Sequence, residues 1–313
     1  MCMNQRQREQ QDMSAPKPML SIRDAKKSYG KVPALRGIDL DLFAGELLGF
    51  LGPNGAGKTT LIRCLSGRSR LDEGSIQFGS SAAHGWGVVP QSLAIYEDLT
   101  AEQNLKVFAK LNGVPRVQLR ARVAEALDWA NLTDRRHQLA GTFSGGMMRR
   151  LNIACSILHR PKIVLLDEPT VGVDPQSRER IYDMLDELRA SGTAILLTTH
   201  QLDEAQFRCD RIAIVDQGKV VSVGAFDELV RMTVGSDQWL RVHFRHRPQS
   251  VPVKLHLDEQ GKIGTCQLEN VATELPQVMQ GLQYDTESVD HVVLQRPTLQ
   301  DVFLHLTGKE LRE

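Results

Sequence analysis

Apolar and polar residues alternate along residues 20–50, between short runs of turn-forming residues. LSIRDAKKSYG and IDLDLFAGELLGFLG both show this period of two, which is typical of strands with one buried face. GSIQFG and GWGVVPQ, bounded by glycine and proline, predict two further short strands. One helix, from about Lys58 to Gly67, is predicted to interrupt this series and to end at its glycine.

The period changes to that of a helix after Thr100. Thr100 and Gln103 have the spacing of a capping box, and RVQLRARVAEALDWANL is a second amphipathic segment, so residues 92–141 predict a helical insert. Beyond it, the continuously apolar strands KIVLLDEP and TAILLTTH alternate with predicted helices. This alternation predicts a mostly parallel α/β sheet.

The last part of the chain has a different pattern, which begins after the linker-like VRMTVGSD. Strands are predicted at WLRVHFR, PVKLHLD, KIGTCQL and HVVLQ, and helices at TELPQVMQGL and PTLQDVFLHLTG. Residues 236–313 therefore predict a small α+β domain, and it carries no phosphate, metal or nucleophile signature. A packing or interaction role is the default expectation for it, with dimerisation and regulation as examples.

Composition and charge restrict the class of partner. Of the 313 residues, 41% are hydrophobic and 24% are charged, as in ordinary globular proteins. The 38 basic residues balance the 38 acidic ones, so no nucleic-acid partner is expected. Five scattered cysteines indicate reduced thiols.

The chain shows no signal for membrane insertion of its own. Residues 1–18 are polar, lack the apolar core of a signal peptide and predict a disordered tail. No apolar run approaches the roughly 18–20 residues that a membrane span needs. Any membrane role is therefore expected to go through a partner.

The strongest chemical signal is GPNGAGKTT, which lies between a predicted strand and a predicted helix. It matches the phosphate-binding pattern G-x-x-x-x-G-K-[ST] in the context that this pattern requires. The glycines let the backbone close around phosphates, Lys58 adds a positive charge, and the Thr59 hydroxyl reaches Mg²⁺. The candidate nucleotide-binding residues of this loop are Gly52, Pro53, Asn54, Gly55, Ala56, Gly57, Lys58, Thr59 and Thr60.

Carboxylates at the end of KIVLLDEP supply further groups that nucleotide hydrolysis needs. Asp167 suits Mg²⁺, and Glu168 suits a general base that polarises the attacking water. His200, at the end of TAILLTTH, is predicted at the same edge of the sheet, where it contacts a γ-phosphate. Gln91 also follows a predicted strand, and we expect it to bridge Mg²⁺ and the attacking water.

The segment TFSGGMMRRL raises a question of its own. Ser144, Gly145 and Gly146 open into a helical pattern, and a helix N-terminus favours an anion. No lysine followed by Ser or Thr accompanies these residues, so they form a phosphate cradle that cannot hold a nucleotide alone.

The order GPNGAGKTT, VVPQ, SGG, LLDEP, GVD, TTH resembles the ATP-binding cassette (ABC) family over roughly residues 20–230. The resemblance implies a P-loop NTPase fold with a mostly parallel sheet core, an antiparallel β-subdomain and a helical subdomain at about 92–155. The ATP-binding domain is then expected at residues 19–232, with ATP and Mg²⁺ as its ligands. Tyr29 matches the aromatic residue that stacks on adenine, and Asp174 matches the aspartate of the D-loop.

The resemblance also answers the question raised by the SGG segment. In this family two nucleotide domains face each other head to tail, and the SGG of one closes over the nucleotide of the other. Since this chain has one P-loop and one SGG, a homodimer is expected. The enzyme is expected to be an ATPase that releases ADP and phosphate.

RPTLQDVFLHLTGKELRE is similar to the C-terminal segment of ATPases in the drug-, polysaccharide- and lipid-export branch. This similarity implies a cytosolic subunit that docks on a separate permease at the inner face of the membrane, with Tyr96 and Glu97 as candidate contacts. Met147 replaces the glutamine that usually follows SGG, as is frequent in this branch. SSAAHGW is shorter than the family usually shows, which predicts an altered rim around the adenine.

Three other functions fit the sequence less well. Soluble ABC proteins that act on ribosomes or DNA usually carry two cassettes, a long coiled coil or zinc modules, and this chain shows none of these. An importer ATPase is disfavoured by the export-like tail. An ordinary P-loop kinase would not explain SGG, the DEP strand end and TTH together.

Overall fold

A computed structural model describes residues 17–79, 85–235, 238–248, 250–282 and 288–308. The predicted disordered tail, residues 1–18, lies outside this description except for its last two residues, and most of SSAAHGW also lies outside it. The chain divides into two compact units, one ending at Val223 and the other beginning at Gly224.

The first unit contains two sheets and a set of helices. Its strands are β1 (Leu20–Tyr29), β2 (Val32–Leu42), β3 (Leu47–Leu51), β4 (Glu73–Phe78), β5 (Trp86–Val89), β6 (Ile163–Asp167), β7 (Ala194–Thr199), β8 (Arg211–Asp216) and β9 (Lys219–Gly224). Its helices are α1 (Lys58–Leu65), α2 (Ala101–Leu111), α3 (Arg116–Trp129), α4 (Gly145–Ile157), α5 (Pro175–Ala190) and α6 (Leu202–Arg208).

The larger sheet has the strand order β5-β6-β7-β3-β8-β9. The pairs from β5 through β8 are parallel, as the sequence predicts. Every residue of β3, β6 and β7 is buried, which explains their continuous apolar sequences. Because parallel strands end at the same edge, the residues that follow β3, β6 and β7 lie close together there.

The smaller sheet and the helical insert also follow the predicted pattern. The antiparallel order is β2-β1-β4, and β2 begins at Val32, earlier than its alternating segment indicates. Helices α2 and α3 confirm the insert. The Thr100 capping box is complete: Gln103 N donates to Thr100 Oγ1 over 3.2 Å, and Thr100 N donates to Gln103 Oε1 over 2.8 Å.

The second unit is an α+β structure with an antiparallel sheet of order β11-β12-β10-β13. Its elements are α7 (Phe226–Met232), β10 (Gln238–Phe244), β11 (His256–Leu257), β12 (Ile263–Leu268), α8 (Val271–Gly281), β13 (Val289–Gln295) and α9 (Leu299–Thr307).

Two features of this unit differ from the sequence pattern. The strand predicted over PVKLHLD is reduced to β11, because a turn precedes it in which Leu255 N donates to Pro252 O over 2.9 Å. The units divide at Val223, upstream of the predicted limit at residue 232, because α7 contacts α9. The functional limits of the domains stay a prediction.

Candidate nucleotide site

The P-loop, residues 52–60, connects β3 to α1 and is shaped by glycine. Gly55 and Gly57 have φ angles of 85° and 104°, in the left-handed region, and Gly57 is the N-cap of α1. A Cβ at Gly57 would lie 2.5 Å from the Ala34 carbonyl oxygen, and one at Gly52 would lie 2.3 Å from that of Val215. The loop therefore admits no side chain at either position without rearrangement.

Lys58 is buried within this loop, with 5% of its surface exposed. Its ammonium donates to the carbonyl oxygens of Gly52 and Pro53 over 2.8 and 3.2 Å. The same nitrogen lies 3.1 Å from Glu168 Oε1, so the buried charge has a counter-ion.

The first turn of α1 lies against a cavity of about 300 Å³. The lining residues are Ala34, Asn54, Gly55, Gly57, Lys58, Thr59, Thr60, Gln91 and Glu168. Backbone N–H groups at a helix N-terminus, a lysine and a left-handed glycine turn are the groups that bind phosphate. The structure thus brings the P-loop together with two of the three residues predicted to catalyse hydrolysis.

Two buried carboxylates stand at the end of β6. Asp167 Oδ1 accepts a hydrogen bond from Thr198 Oγ1 over 2.7 Å and lies 3.4 Å from Thr59 Oγ1. Glu168 has a φ of 48°, and its backbone N–H donates to both the Oγ1 and the carbonyl oxygen of Thr198, each over 3.1 Å. Thr198 thereby holds Glu168 in a left-handed conformation, which is unfavourable for this residue and persists only where surrounding contacts fix it.

Glu168 is the common partner of the predicted catalytic residues. Its Oε1 lies 3.1 Å from His200 Nδ1, as it does from the Lys58 ammonium. Its Oε2 accepts a hydrogen bond from Gln91 Nε2 over 3.0 Å. Three strand ends and the P-loop therefore place Glu168, His200, Gln91 and Lys58 in one cluster.

The SGG turn lies apart from this cluster within the described part of the chain. Ser144 and Gly145 are exposed, and Ser144 Oγ caps α4 by accepting from Met147 N over 3.3 Å. A Cβ at Gly145 would meet no atom within 4 Å, whereas one at Gly146 would lie 2.1 Å from Ser177 Oγ. Gly146 is thus required by a contact within the chain, and Gly145 faces open space.

Asp174 lies beside the same contact. It is the exposed N-cap of α5, and its Oδ1 accepts from Ser177 N over 2.9 Å. This hydrogen bond from the Ser177 backbone holds the pKa of the Asp174 carboxyl below its usual value. Ser177 therefore connects the SGG turn to the predicted D-loop.

Tyr29, the predicted adenine-stacking residue, ends β1 and is 47% exposed. Its ring centroid lies 5.8 Å from the Lys27 ammonium. Among the described residues, it is not part of the lining of the phosphate cavity. Its contact with adenine stays a prediction.

Some residues that organise the site were missed by sequence reasoning. Besides Thr198, the buried Arg149 donates to the carbonyl oxygens of Pro90 and Gln91 over 3.0 and 2.7 Å, which ties α4 to the Gln91 loop. Asn104 is fully buried and bonds both the N–H and the carbonyl of Tyr96, over 2.8 and 2.9 Å. A polar residue in the apolar stripe of each helix was the signal available.

No helix among the described residues combines the length and the apolar character that a bilayer crossing needs.

Comparison with known proteins identifies the family. The sequence pattern of the family described as ABC transporter matches residues 35–171. The chain is 36% identical to the linearmycin resistance ATP-binding protein LnrL of Bacillus subtilis (strain 168), over 94% of this chain and 100% of that protein. It is 37% identical to the daunorubicin resistance ATP-binding protein DrrA3 of Streptomyces coeruleorubidus, over 94% and 97%. It is 35% identical to the Nod factor export ATP-binding protein I of Ralstonia nicotianae, over 95% and 96%.

Solved structures give the same answer for the fold. An ATP-binding subunit of an ABC transporter is 28% identical, covers 68% of this chain and 92% of its own, and superposes with a TM-score of 0.62. CbiO1 from Clostridium perfringens, part of the ABC transporter complex cbiONQ, is 26% identical, covers 69% and 94%, and has the same TM-score of 0.62. The chain belongs to the ABC transporter family, in its export branch, as an ATP-binding and ATP-hydrolysing subunit.

Proposed function

We propose that this subunit works as a head-to-tail homodimer in which each ATP is held by the P-loop of one copy and the SGG turn of the other. The observation that carries the proposal is the open space at Gly145, next to the exposed Ser144, at the N-terminus of a helix of 13 residues. Such a helix start favours an anion. The cavity lined by Lys58 supplies the remaining phosphate-binding groups.

The residues around Asp167 fit a magnesium ion. Thr59 and Asp167 offer hard oxygen donors whose atoms lie 3.4 Å apart, and Gln91 adds its amide oxygen. When bound, Mg²⁺ neutralises negative charge that develops on the phosphate oxygens. Thr59, Gln91 and Asp167 would hold it.

Glu168 is the general base in this proposal. It takes a proton from the water whose oxygen forms a bond to the γ-phosphorus, while the bond from that phosphorus to the bridging oxygen breaks and ADP leaves. His200, 3.1 Å from Glu168, contacts the γ-phosphate and orients the carboxylate. Gln91 fixes the other carboxylate oxygen.

Closure of the dimer on ATP transmits work to a separate membrane permease. The path begins at Gln91, whose carbonyl is held by Arg149 of the SGG helix. Five residues further on, Tyr96 presents a side chain that is 52% exposed on a backbone fixed by Asn104. Tyr96 and its neighbour Glu97 are the proposed permease contacts.

The subunit is then a peripheral protein on the cytoplasmic face of the membrane. The names of its relatives concern resistance to linearmycin and daunorubicin and the export of Nod factor. These names support export of a small organic compound through the permease.

The dimer is tested with Glu168→Gln, which retains ATP binding and slows its hydrolysis. Size exclusion with light scattering should give a dimer with ATP and Mg²⁺, and a monomer with ADP. The double variant Lys58→Ala/Glu168→Gln is the control, and it should stay monomeric because its P-loop lacks the ammonium. If the Glu168→Gln chain stays monomeric with ATP at every protein concentration, the homodimer proposal is wrong.

The permease is tested by affinity purification of the tagged chain from detergent-solubilised membranes. A co-purifying multispanning membrane protein is the expected result, and its recovery should fall with Tyr96→Ala. Recovery of ribosomal or DNA-repair proteins instead would contradict the export assignment.

A further inference from the structure

Glu204 is a buried carboxylate that the mechanism above does not use. It lies in the first turn of α6, shortly after His200, and only 5% of its surface is exposed. Its Oε2 accepts two hydrogen bonds, from Thr170 Oγ1 over 2.9 Å and from Thr199 Oγ1 over 3.1 Å. One oxygen atom therefore joins two segments of the chain that are separated in sequence.

Those two segments carry the residues that act on ATP. Thr170 follows Glu168 by two positions, and Thr199 immediately precedes His200. The Thr199 hydroxyl also accepts from Gln201 N over 2.9 Å, so it fixes the backbone on both sides of His200. The separation of Glu168 and His200, 3.1 Å between their polar atoms, is thus set partly through Glu204.

The second oxygen of Glu204 faces α5, the helix that the predicted D-loop opens. Oε1 lies 3.6 Å from Arg178 Nε, and Arg178 follows Asp174 in the first turn of that helix. Tyr182 of α5 is also buried nearby, and burial, together with the charge of Glu204, raises the pKa of its phenol. A buried charge needs a partner of opposite charge, and Arg178 supplies one for Glu204.

We propose that Glu204 is a positioning residue for ATP hydrolysis, which holds the Glu168 strand end, the His200 loop and the Asp174 helix at fixed separations. Glu168 needs such support because its φ of 48° is sustained only by its surroundings. This inference rests on the proposed roles of Glu168 and His200.

The test compares Glu204→Ala with Glu204→Gln in steady-state ATP hydrolysis by the full chain. The alanine variant leaves both threonine hydroxyls without their acceptor, so kcat should fall about 10- to 100-fold through misplacement of Glu168 and His200. The KM for ATP should stay within about threefold, because the P-loop is untouched. The glutamine variant keeps an oxygen acceptor and should recover most of kcat.

Two controls separate positioning from a loss of folding. Glu179→Ala removes a glutamate that is 63% exposed on α5 and pairs with Arg208, and it should leave kcat unchanged. Thermal melts and binding of a fluorescent ATP analogue give the folded fraction of each variant. Thr170→Val should lower kcat by a smaller factor in the Glu204→Ala background than in the unchanged chain, because the two residues share one hydrogen bond.

The outcomes are distinct from those for the proposed function. A Glu204→Ala variant with kcat within about twofold of the unchanged chain would overturn this inference, as would a loss of kcat that only follows the folded fraction. If Glu168→Gln itself leaves kcat unchanged, the proposed function fails first. If Glu168→Gln is inactive and Glu204→Ala is fully active, only the role of Glu204 is refuted.

Discussion

Two glycine-containing turns of this chain open into helices, and their surroundings differ. The P-loop has a lysine that is 5% exposed, paired with Glu168, and lies against a cavity with Thr59 and Gln91. In the SGG turn, Ser144 and Gly145 are exposed, and the Ser144 hydroxyl caps its own helix. A side chain added at Gly57 would strike the backbone, whereas one added at Gly145 would meet nothing within 4 Å.

In the proposed dimer, this difference separates a site that holds a nucleotide from a surface that completes one. Both turns present helix N-terminal amides, which favour an anion. The P-loop adds the Lys58 ammonium, which lines the cavity, and the oxygen ligands of Thr59 and Asp167, which a magnesium nucleotide needs. The SGG turn is therefore suited to a phosphate that another molecule carries.

The largest effect is expected at the P-loop cluster. Glu168→Gln should lower kcat by about 10²- to 10⁴-fold, the contribution of general base catalysis, without loss of ATP binding. Steady-state hydrolysis and equilibrium binding measure the two quantities, with the exposed Glu187→Gln as the matched control. A kcat that stays within about tenfold would show that Glu168 is not the base.

A smaller but still large effect is expected at the SGG turn. Ser144→Arg should lower hydrolysis by about 10²-fold or more, because its side chain obstructs the amides that stabilise charge on the γ-phosphate. Binding of ATP to the monomer should be nearly unchanged, since Ser144 is not part of the cavity lining in the described structure. Equal losses of binding and hydrolysis would mean that the SGG turn serves its own P-loop.

Alanine substitutions at the two glycines of the SGG turn should differ in their effect on the free energy of unfolding. Gly146→Ala places a methyl group on Ser177 and should lower the free energy of unfolding by about 1–3 kcal/mol. Gly145→Ala is unobstructed and should change it by less than about 1 kcal/mol, in the stabilising direction that alanine favours in helices. Urea denaturation of both variants measures the difference, and equal destabilisation would contradict it.

The smallest effect separates the capping of α4 by Ser144 from the proposed role of Ser144 in hydrolysis. Ser144→Ala and Thr100→Ala each remove a helix N-cap and should each lower the free energy of unfolding by about 1 kcal/mol. Only Ser144→Ala should also lower kcat. If both variants retain full activity, the Ser144 hydroxyl acts as a cap alone.

The sequence predicts what depends on local pattern. The parallel strands, the capping box at Thr100 and the P-loop follow from periodicity and from residue spacing within one segment. The same reasoning predicted too long a strand over PVKLHLD, because an alternating pattern does not reveal the turn in which Leu255 N donates to Pro252 O.

Two contacts between distant segments were not predicted, although the meeting of Gln91, Glu168 and His200 at one edge of the sheet was. Thr198 reaches Asp167 because the register of β6 and β7 pairs these two residues. Gly146 was predicted only as part of a phosphate cradle, and the structure adds a requirement for glycine there from Ser177 of α5. Neither contact can be predicted from the residues of one segment, since both depend on how helices and strands pack.

The proposed site shared between two copies is tested most directly by mixing two inactive chains. Lys58→Ala removes the P-loop ammonium and keeps SGG, whereas Ser144→Arg obstructs SGG and keeps the P-loop. Each variant alone should lack ATPase activity, and their mixture should regain it, because a mixed dimer contains one site with Lys58 from one copy and Ser144 from the other. No recovery at any ratio, with mixed dimers verified by two different affinity tags, would contradict the account.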